Sequence, residues 1–350
     1  MKNVIIVGGI PSPIGGVTSY ISRLLTAFPE FFSELADLYP HKDKVYFDPS
    51  LEVKHNQFNG VGFKFFLFLL KSNQSIVHFN FSTIRSLMFF LLLPKKNKQK
   101  WLLTLHNGDP IGRFEHKFLG GLYNQCFIIA LRKFDRIVCL NSNQESIYRR
   151  LKVNDDNLFF MDSFVPYTLI EESPESISIK DIFNHVEFEK TIIMNGYCKS
   201  FYNFHYAIEY VLSRDDSVLI IALYGDSDEN YEKEVRQLIG GSNRVKILYN
   251  LEQAEFISLL SQCNVYLRAN SIDSFGIAVA DAVCLGLKVV ASDVCERFSG
   301  AILYKHDSKE ELFNELDSIC LNCSKSVNFE KEDYLDLLLE RYSALYEFND

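Results

Sequence analysis

Asn270-Ser271-Ile272-Asp273-Ser274-Phe275-Gly276-Ile277-Ala278-Val279-Ala280-Asp281 follows the apolar run Val265-Tyr266-Leu267-Arg268 and opens a stretch with helical spacing. A strand, a turn of small residues and then a helix make up the repeating joint of an α/β sheet. Ligands of such sheets bind just beyond the carboxyl ends of the strands. Ser274, Phe275 and Gly276 form the turn, and backbone N–H groups at a helix start suit a phosphate. Asp281 stands eight residues after Asp273, two turns along on a nearby face. A carboxylate there can accept two hydrogen bonds from neighbouring hydroxyls, as on a ribose. The plainer alternative makes Asp273 an N-cap and Asp281 a solvated helix residue. Against it, Asp281 sits among Ala278, Val279, Ala280, Ala282, Val283 and Cys284, where a charge needs a partner.

The same joint recurs along the chain. Apolar runs at 4–7, 75–79, 101–105, 136–140 and 158–161 alternate with helical spacing at 17–27, 83–93, 118–132 and 144–151. From Asp162 to about Lys190, Pro166, Pro174 and Glu171-Glu172 interrupt the pattern and read as a linker. Alternation resumes with strands at 191–195, 218–224, 245–248, 265–268, 288–291 and 301–304. Helices fall at 204–212, 230–239, 254–261, 276–285 and 309–320. The pattern predicts two Rossmann-like, doubly wound α/β domains facing across a cleft, 1–165 and 166–333. A last helix, 334–350, carries an apolar face of Leu335, Leu337, Leu338, Leu339, Tyr342 and Leu345 and is expected to pack back on the first domain.

The charge divides with the domains. Residues 1–165 carry 20 Lys and Arg against 13 Asp and Glu, and residues 166–350 carry 16 against 32. Opposite fields suit different partners, and no nucleic-acid partner is expected. The segment before the first strand is too short for a secretory leader, and no apolar run reaches the roughly 20 residues of a spanning helix. Eight scattered cysteines fit free thiols in a cytoplasmic protein. Cys320-Leu321-Asn322-Cys323 has no second pair or histidine cluster near it, so no metal site is expected.

The run Asp273-Ser274-Phe275-Gly276 to Asp281-Ala282-Val283, then Leu285-Gly286-Leu287-Lys288-Val289-Val290-Ala291-Ser292, resembles the Glu-x7-Glu signature of glycosyltransferase family 4. The resemblance implies the glycosyltransferase B (GT-B) fold and a retaining, usually metal-independent transfer from a nucleotide sugar, with no further cofactor. It implies that Asp273 contacts the donor sugar and Asp281 holds the ribose, each one methylene shorter than the usual Glu. The loop Gly8-Gly9-Ile10-Pro11-Ser12-Pro13-Ile14-Gly15-Gly16-Val17 resembles the family's glycine loop, with Gly15 and Gly16 against a phosphate. Thr104-Leu105-His106-Asn107-Gly108-Asp109 resembles a strand end whose histidine reaches the donor sugar, here His106. Ile76-Val77-His78-Phe79 resembles another family strand, where His78 reads more readily as structural. The segment 134–142 resembles a third, with Ser142 as a helix cap. Gly225-Asp226-Ser227-Asp228 resembles a loop bordering the base, and reads equally as a turn.

One position departs from the family. Its second domain opens with an Arg and a Lys that neutralise the donor diphosphate, and here Tyr197 and Tyr202 stand in their places. Lys199 and Arg268 are the nearest substitutes. The expected function is transfer of a hexose from a UDP or GDP sugar to a glycan or lipid-linked acceptor in cell-surface polysaccharide assembly. The basic run Lys95-Lys96-Asn97-Lys98-Gln99-Lys100 and the apolar runs 63–70 and 87–93 fit peripheral contact with an anionic inner leaflet, or buried helices joined by a solvated turn. Two rivals remain: an epimerase using His106 and Asp109, and a non-catalytic subunit.

Overall fold

Val4, Ile5, Ile6 and Val7 are all fully buried, as are the seven residues Ser217–Leu223. Continuous apolar strands of this kind belong to parallel sheets covered on both faces. The computed structural model describes residues 3–11, 14–39, 49–82, 84–106, 120–167, 178–320 and 329–348. It divides into two units, Met1–Thr168 with Glu332–Asp350, and Leu169–Lys331.

Among the described residues the first unit holds seven parallel strands: β1 Val4–Gly8, β2 Phe32–Asp37, β3 Lys54–Gln57, β4 Ile76–Phe81, β5 Lys100–Leu105, β6 Arg136–Cys139 and β7 Leu158–Phe160. Their order is β3-β2-β1-β4-β5-β6-β7. The second holds β8 Lys190–Gly196, β9 Ser217–Leu223, β10 Val245–Tyr249, β11 Val265–Arg268, β12 Lys288–Ser292 and β13 Ile302–Tyr304, in the order β10-β9-β8-β11-β12-β13. Each sheet runs outward from its first strand in one direction and then restarts on the other side. That is the Rossmann order, and its ligand crevice lies where the direction reverses, at β1/β4 and at β8/β11.

The strands β2 and β3 were not anticipated. Ser33, Glu34 and Asp37 interrupt the apolar run of β2, and Lys54-His55-Asn56-Gln57 is an all-polar edge held by pairing with β2. Residues 84–92 form a 3-10 turn, Ile84–Met88, and a single helical turn, Phe89–Leu92, rather than one long helix. Asn141, not Ser142, caps the helix Ser142–Arg150, accepting from the Gln144 N–H at 2.8 Å.

The helix Lys331–Tyr346 buries Leu338, Tyr342, Leu345 and Tyr346, the spacing of one helical stripe, while Leu337 and Leu339 are exposed. Its hydroxyls enter the first unit's core. Tyr342 meets the Tyr20 hydroxyl, and the Tyr346 hydroxyl lies 2.8 Å from His78 Nδ1. His78 Nε2 is 2.8 Å from Thr104 Oγ1. Arg136 donates to the carbonyls of Ala344 and Leu345, closing the helix end. His78 is fully buried between two hydroxyls, so its role is structural.

Burial pushes the His78 pKa down to about 3, with His106 adding to the effect. An unfolded histidine takes up its proton near 6.5, so between these values the unfolded chain binds more protons. Stability is therefore complete above about pH 6.5 and falls as pH drops toward 3. Urea unfolding should show a loss from pH 7 to pH 5, about 2 kcal/mol of it from this residue. His78→Gln should lower stability at pH 7 and flatten that pH dependence.

Candidate functional site

The second sheet reverses between β8 and β11, and side chains from both strand ends meet there. The register pairs Tyr266 with Ile193, which sets Tyr266 and Arg268 beside the end of β8. The Tyr266 hydroxyl donates to Asn195 Oδ1 at 2.6 Å, and Arg268 Nη1 donates to the Asn195 carbonyl at 3.3 Å.

The Arg268 guanidinium also grips Asp273 in a fork, Nε to Oδ2 at 2.8 Å and Nη2 to Oδ1 at 3.1 Å. Arg297 donates from Nη1 to the same Oδ2 at 2.6 Å. The Ser274 N–H donates to Oδ1 at 3.0 Å. A carboxylate offers about four acceptor positions, and these four donors occupy them. Burial alone would raise the Asp273 pKa, but Arg268 and Arg297 overrule it and hold the carboxyl far below the usual range. Burial opposes the charge of Arg268, and Asp273 more than restores it. Removing one partner of such a buried pair costs about 3–5 kcal/mol.

Arg297 was not singled out from the sequence. It also donates to the Phe275 carbonyl at 2.9 Å, the Ser292 carbonyl at 3.1 Å and Ser292 Oγ at 3.1 Å. Ser292 Oγ in turn donates to the Asn270 carbonyl at 2.6 Å. One guanidinium thus ties the loop after β12 to the turn after β11. Its signal was its place just past a strand's carboxyl end, the position searched for on the other strands.

The helix is Ile277–Cys284, with Gly276 as N-cap at φ +86°. It starts one residue later than the sequence suggested, and Asp273, three residues before the cap, lies in the turn and neither caps the helix nor shares a face with Asp281. Asp281 is the fifth helical residue and is buried, which excludes a solvated position. A Cβ on Gly276 would lie 3.0 Å from Arg297 Nη1 and 3.3 Å from Asp273 Oδ2, so glycine is needed for both space and backbone. The structure therefore brings Arg268, Asp273, Ser274, Phe275 and Gly276 together, with Asp281 on the adjoining helix.

Tyr197 and Tyr202 are packing residues. A Cβ on Gly196 would meet the Tyr202 ring, and one on Gly225 would meet the Tyr197 ring. Tyr202 stacks on Phe204 at 5.6 Å and lies under Arg268, whose guanidinium carbon is 5.4 Å from the ring centroid. Lys199 is half-buried with its ammonium 5.6 Å from the Tyr197 ring centroid, and among the described residues no carboxylate pairs with it. Asp228 caps the helix Glu229–Ile239, so the 225–228 loop is a turn into a helix cap.

Gly15, Gly16 and His106 belong to the first unit. Gly15 caps the helix Gly16–Ala27, where its N–H donates to Thr18 Oγ1 at 3.0 Å. A Cβ on Gly16 would have nothing within 4 Å. His106 follows β5, with Nε2 3.1 Å from Asn80 Oδ1 and its ring 4.8 Å from that of Tyr20. Burial takes its pKa down to about 3, so it is a neutral ring at pH 7, able to exchange a hydrogen bond and poorly suited to take a proton. Asn107, Gly108, Asp109 and Cys323 lie outside the described residues.

Gly276→Ala should lower the melting temperature, the strained backbone alone costing about 1–3 kcal/mol. Gly16→Ala should leave it unchanged or slightly raised, because alanine fits a helix start with open space. Calorimetry of the two variants checks both.

Residues 176–332 match the family model described as glycosyl transferases group 1. No curated protein matches the sequence at a significant level. Among solved structures, Anabaena HepE in complex with UDP and glucose is similar at 13% identity and TM-score 0.74, covering 98% of this chain and 100% of that one. Sucrose-phosphate synthase from Thermosynechococcus elongatus is similar at 14% identity and TM-score 0.71, covering 99% of each chain. WaaG, a glycosyltransferase involved in lipopolysaccharide biosynthesis, is similar at 14% identity and TM-score 0.62, covering 98% and 95%. At these identities the likeness speaks for the fold, and the matched segment speaks for the class. The fold is therefore that of the GT-B glycosyltransferases, and with the matched segment 176–332 the enzyme class is glycosyltransferase.

Proposed function

We propose that the chain is a retaining glycosyltransferase of the family 4 type, moving a hexose from a UDP or GDP sugar to a glycan or lipid-linked acceptor in cell-surface polysaccharide assembly. The observation that carries the reading is the charged cluster at the β8/β11 reversal, next to the Gly276 turn and the buried Asp281. The UDP and glucose bound by the similar Anabaena protein support a nucleotide-sugar donor.

The leaving diphosphate gains negative charge as the glycosidic bond breaks. Arg268 and Lys199, with amides of the 274–276 turn, would stabilise that charge. Asp281 would hold the ribose hydroxyls, and Gly15 and Gly16 would let backbone approach a phosphate. His106, being neutral, would offer a hydrogen bond to the donor sugar. With no protein base assigned, a donor phosphate oxygen takes the acceptor's proton on the same face, which retains the anomeric configuration.

Among the described residues no helix is long and apolar enough to cross a membrane. Peripheral contact with an anionic inner leaflet, on a cytoplasmic protein, is supported by exposed side chains of the first unit. Phe63 and Leu92 are 73% and 87% exposed, and the exposed Lys64, Lys71 and Lys98 lie on the same segments. Lys95 and Lys96 are instead engaged by Asp135 and the Ser72 carbonyl. Each lysine near such a surface contributes about 1 kcal/mol.

A second reading, a non-catalytic glycosyltransferase-like subunit, is favoured by the saturated Asp273 carboxylate and the packed Tyr197 and Tyr202. A thermal-shift screen of nucleotides and nucleotide sugars separates them. A ligand at 100 times its Kd should stabilise the protein by about 2.7 kcal/mol. Turnover of a bound nucleotide sugar with acceptor, giving a product of retained configuration by NMR, supports the enzyme; binding without turnover favours the subunit. No shift with any nucleotide overturns the enzyme and favours the subunit. For the membrane, Phe63→Asp with Leu92→Asp should abolish sedimentation with anionic vesicles at low salt.

A further inference from the structure

We propose that Asp273 does not receive the donor sugar in this chain: with Arg297 it is a positioning residue that braces Arg268 as the cation for the donor diphosphate. The inference rests on the nucleotide-sugar reading and assigns roles within that site.

Charge comes first. Arg268 and Arg297 bring two positive charges to the cluster and Asp273 one negative charge. None of the three pairs with another ionised side chain among the described residues. Arg297 is 1% exposed and Arg268 11%. A surplus positive charge in so dry a place calls for an anion. The neighbouring phenols do not supply one, since burial keeps Tyr202 and Tyr266 protonated.

Donor and acceptor counts then divide the roles. Each guanidinium has five N–H donors. Arg297 uses four, on Asp273, the Phe275 carbonyl and two oxygens of Ser292. It is a strut with little left for a ligand. Arg268 uses three, two on Asp273 and one on the Asn195 carbonyl. Its other donors face the neutral hydroxyls of Tyr202 and Tyr266, which an anion can displace, at the strand end where the sheet reverses. Asp273 has all four acceptor positions occupied, so a sugar hydroxyl would have to displace an arginine or an amide.

The tyrosines complete the argument. Tyr197 and Tyr202 fill space against Gly225 and Gly196 and bring no charge. Tyr202 instead lies under Arg268 and fixes the guanidinium's lower face. Positive charge is concentrated at the end of β11, and the carboxylate beside it orients the fork.

Binding of UDP, GDP and the corresponding glucose nucleotides is measured by calorimetry on the full chain. Arg268→Gln should weaken the bound nucleoside diphosphate by about 10- to 100-fold and leave the nucleoside alone unchanged. Asp273→Asn should weaken the diphosphate and its sugar form by the same factor. Arg297→Gln should act in the same direction, with Arg297→Lys restoring part of the affinity. Melting temperatures of all variants identify any that fail to fold, and for those Arg268→Lys, which keeps the charge without the fork, is the second variant. It should recover part of the affinity lost in Arg268→Gln. If Asp273→Asn weakens only the sugar form, Asp273 touches the sugar and the proposal is wrong. Diphosphate affinity unchanged in Arg268→Gln also overturns it while leaving the nucleotide-sugar reading intact. Failure of the wild type to bind any of these nucleotides overturns that reading and the proposal together.

Discussion

A carboxylate with two guanidiniums on one of its oxygens is the point from which the carboxyl edge of the second unit's sheet is organised. Asp273 ends no strand and starts no helix. It sits in a turn that has no regular hydrogen bonding of its own, and the arginines substitute for that. Arg268 anchors the turn to β11 and through Asn195 to β8. Arg297 anchors it to Ser292 at the end of β12. Three neighbouring strand ends are thereby held in one network. The left-handed backbone at Gly276 is open to a residue without a Cβ, which would also crowd the network at Arg297.

Much of this was legible in the residues. The parallel runs of both sheets declared themselves because buried strands are apolar on both faces, as in Ser217–Leu223. The edge strand Lys54–Gln57 gave no such sign, since half its hydrogen bonding comes from a neighbour and its faces are wet. The helix after the turn was placed one residue early because glycine at a helix start can be either the cap or the first helical residue.

At the site, the sequence singled out the turn but not the contacts inside it. Spacing placed Asp273 and Asp281 near one another, but spacing does not reveal that a carboxylate is already taken. Arg297 lies 24 residues from Asp273 in the chain, and only the return of β12 beside β11 makes them neighbours. The two tyrosines looked like missing charges. In the folded chain they are the walls against which two glycines close, a relation of shape that residue chemistry alone does not carry.

The chain leaves the first unit near residue 168, builds the whole second unit, and returns at residue 332. Tyr342 and Tyr346 supply the hydroxyl partners of Tyr20 and His78, so the first core stays polar and incomplete until they arrive. During synthesis the ribosome emits residues 169–331 while that core still waits. The second unit can therefore mature first, although it comes later in the message. The first is complete only once residues 332–346 have emerged, and until then the His78 imidazole has only the Thr104 one of its two hydroxyl partners.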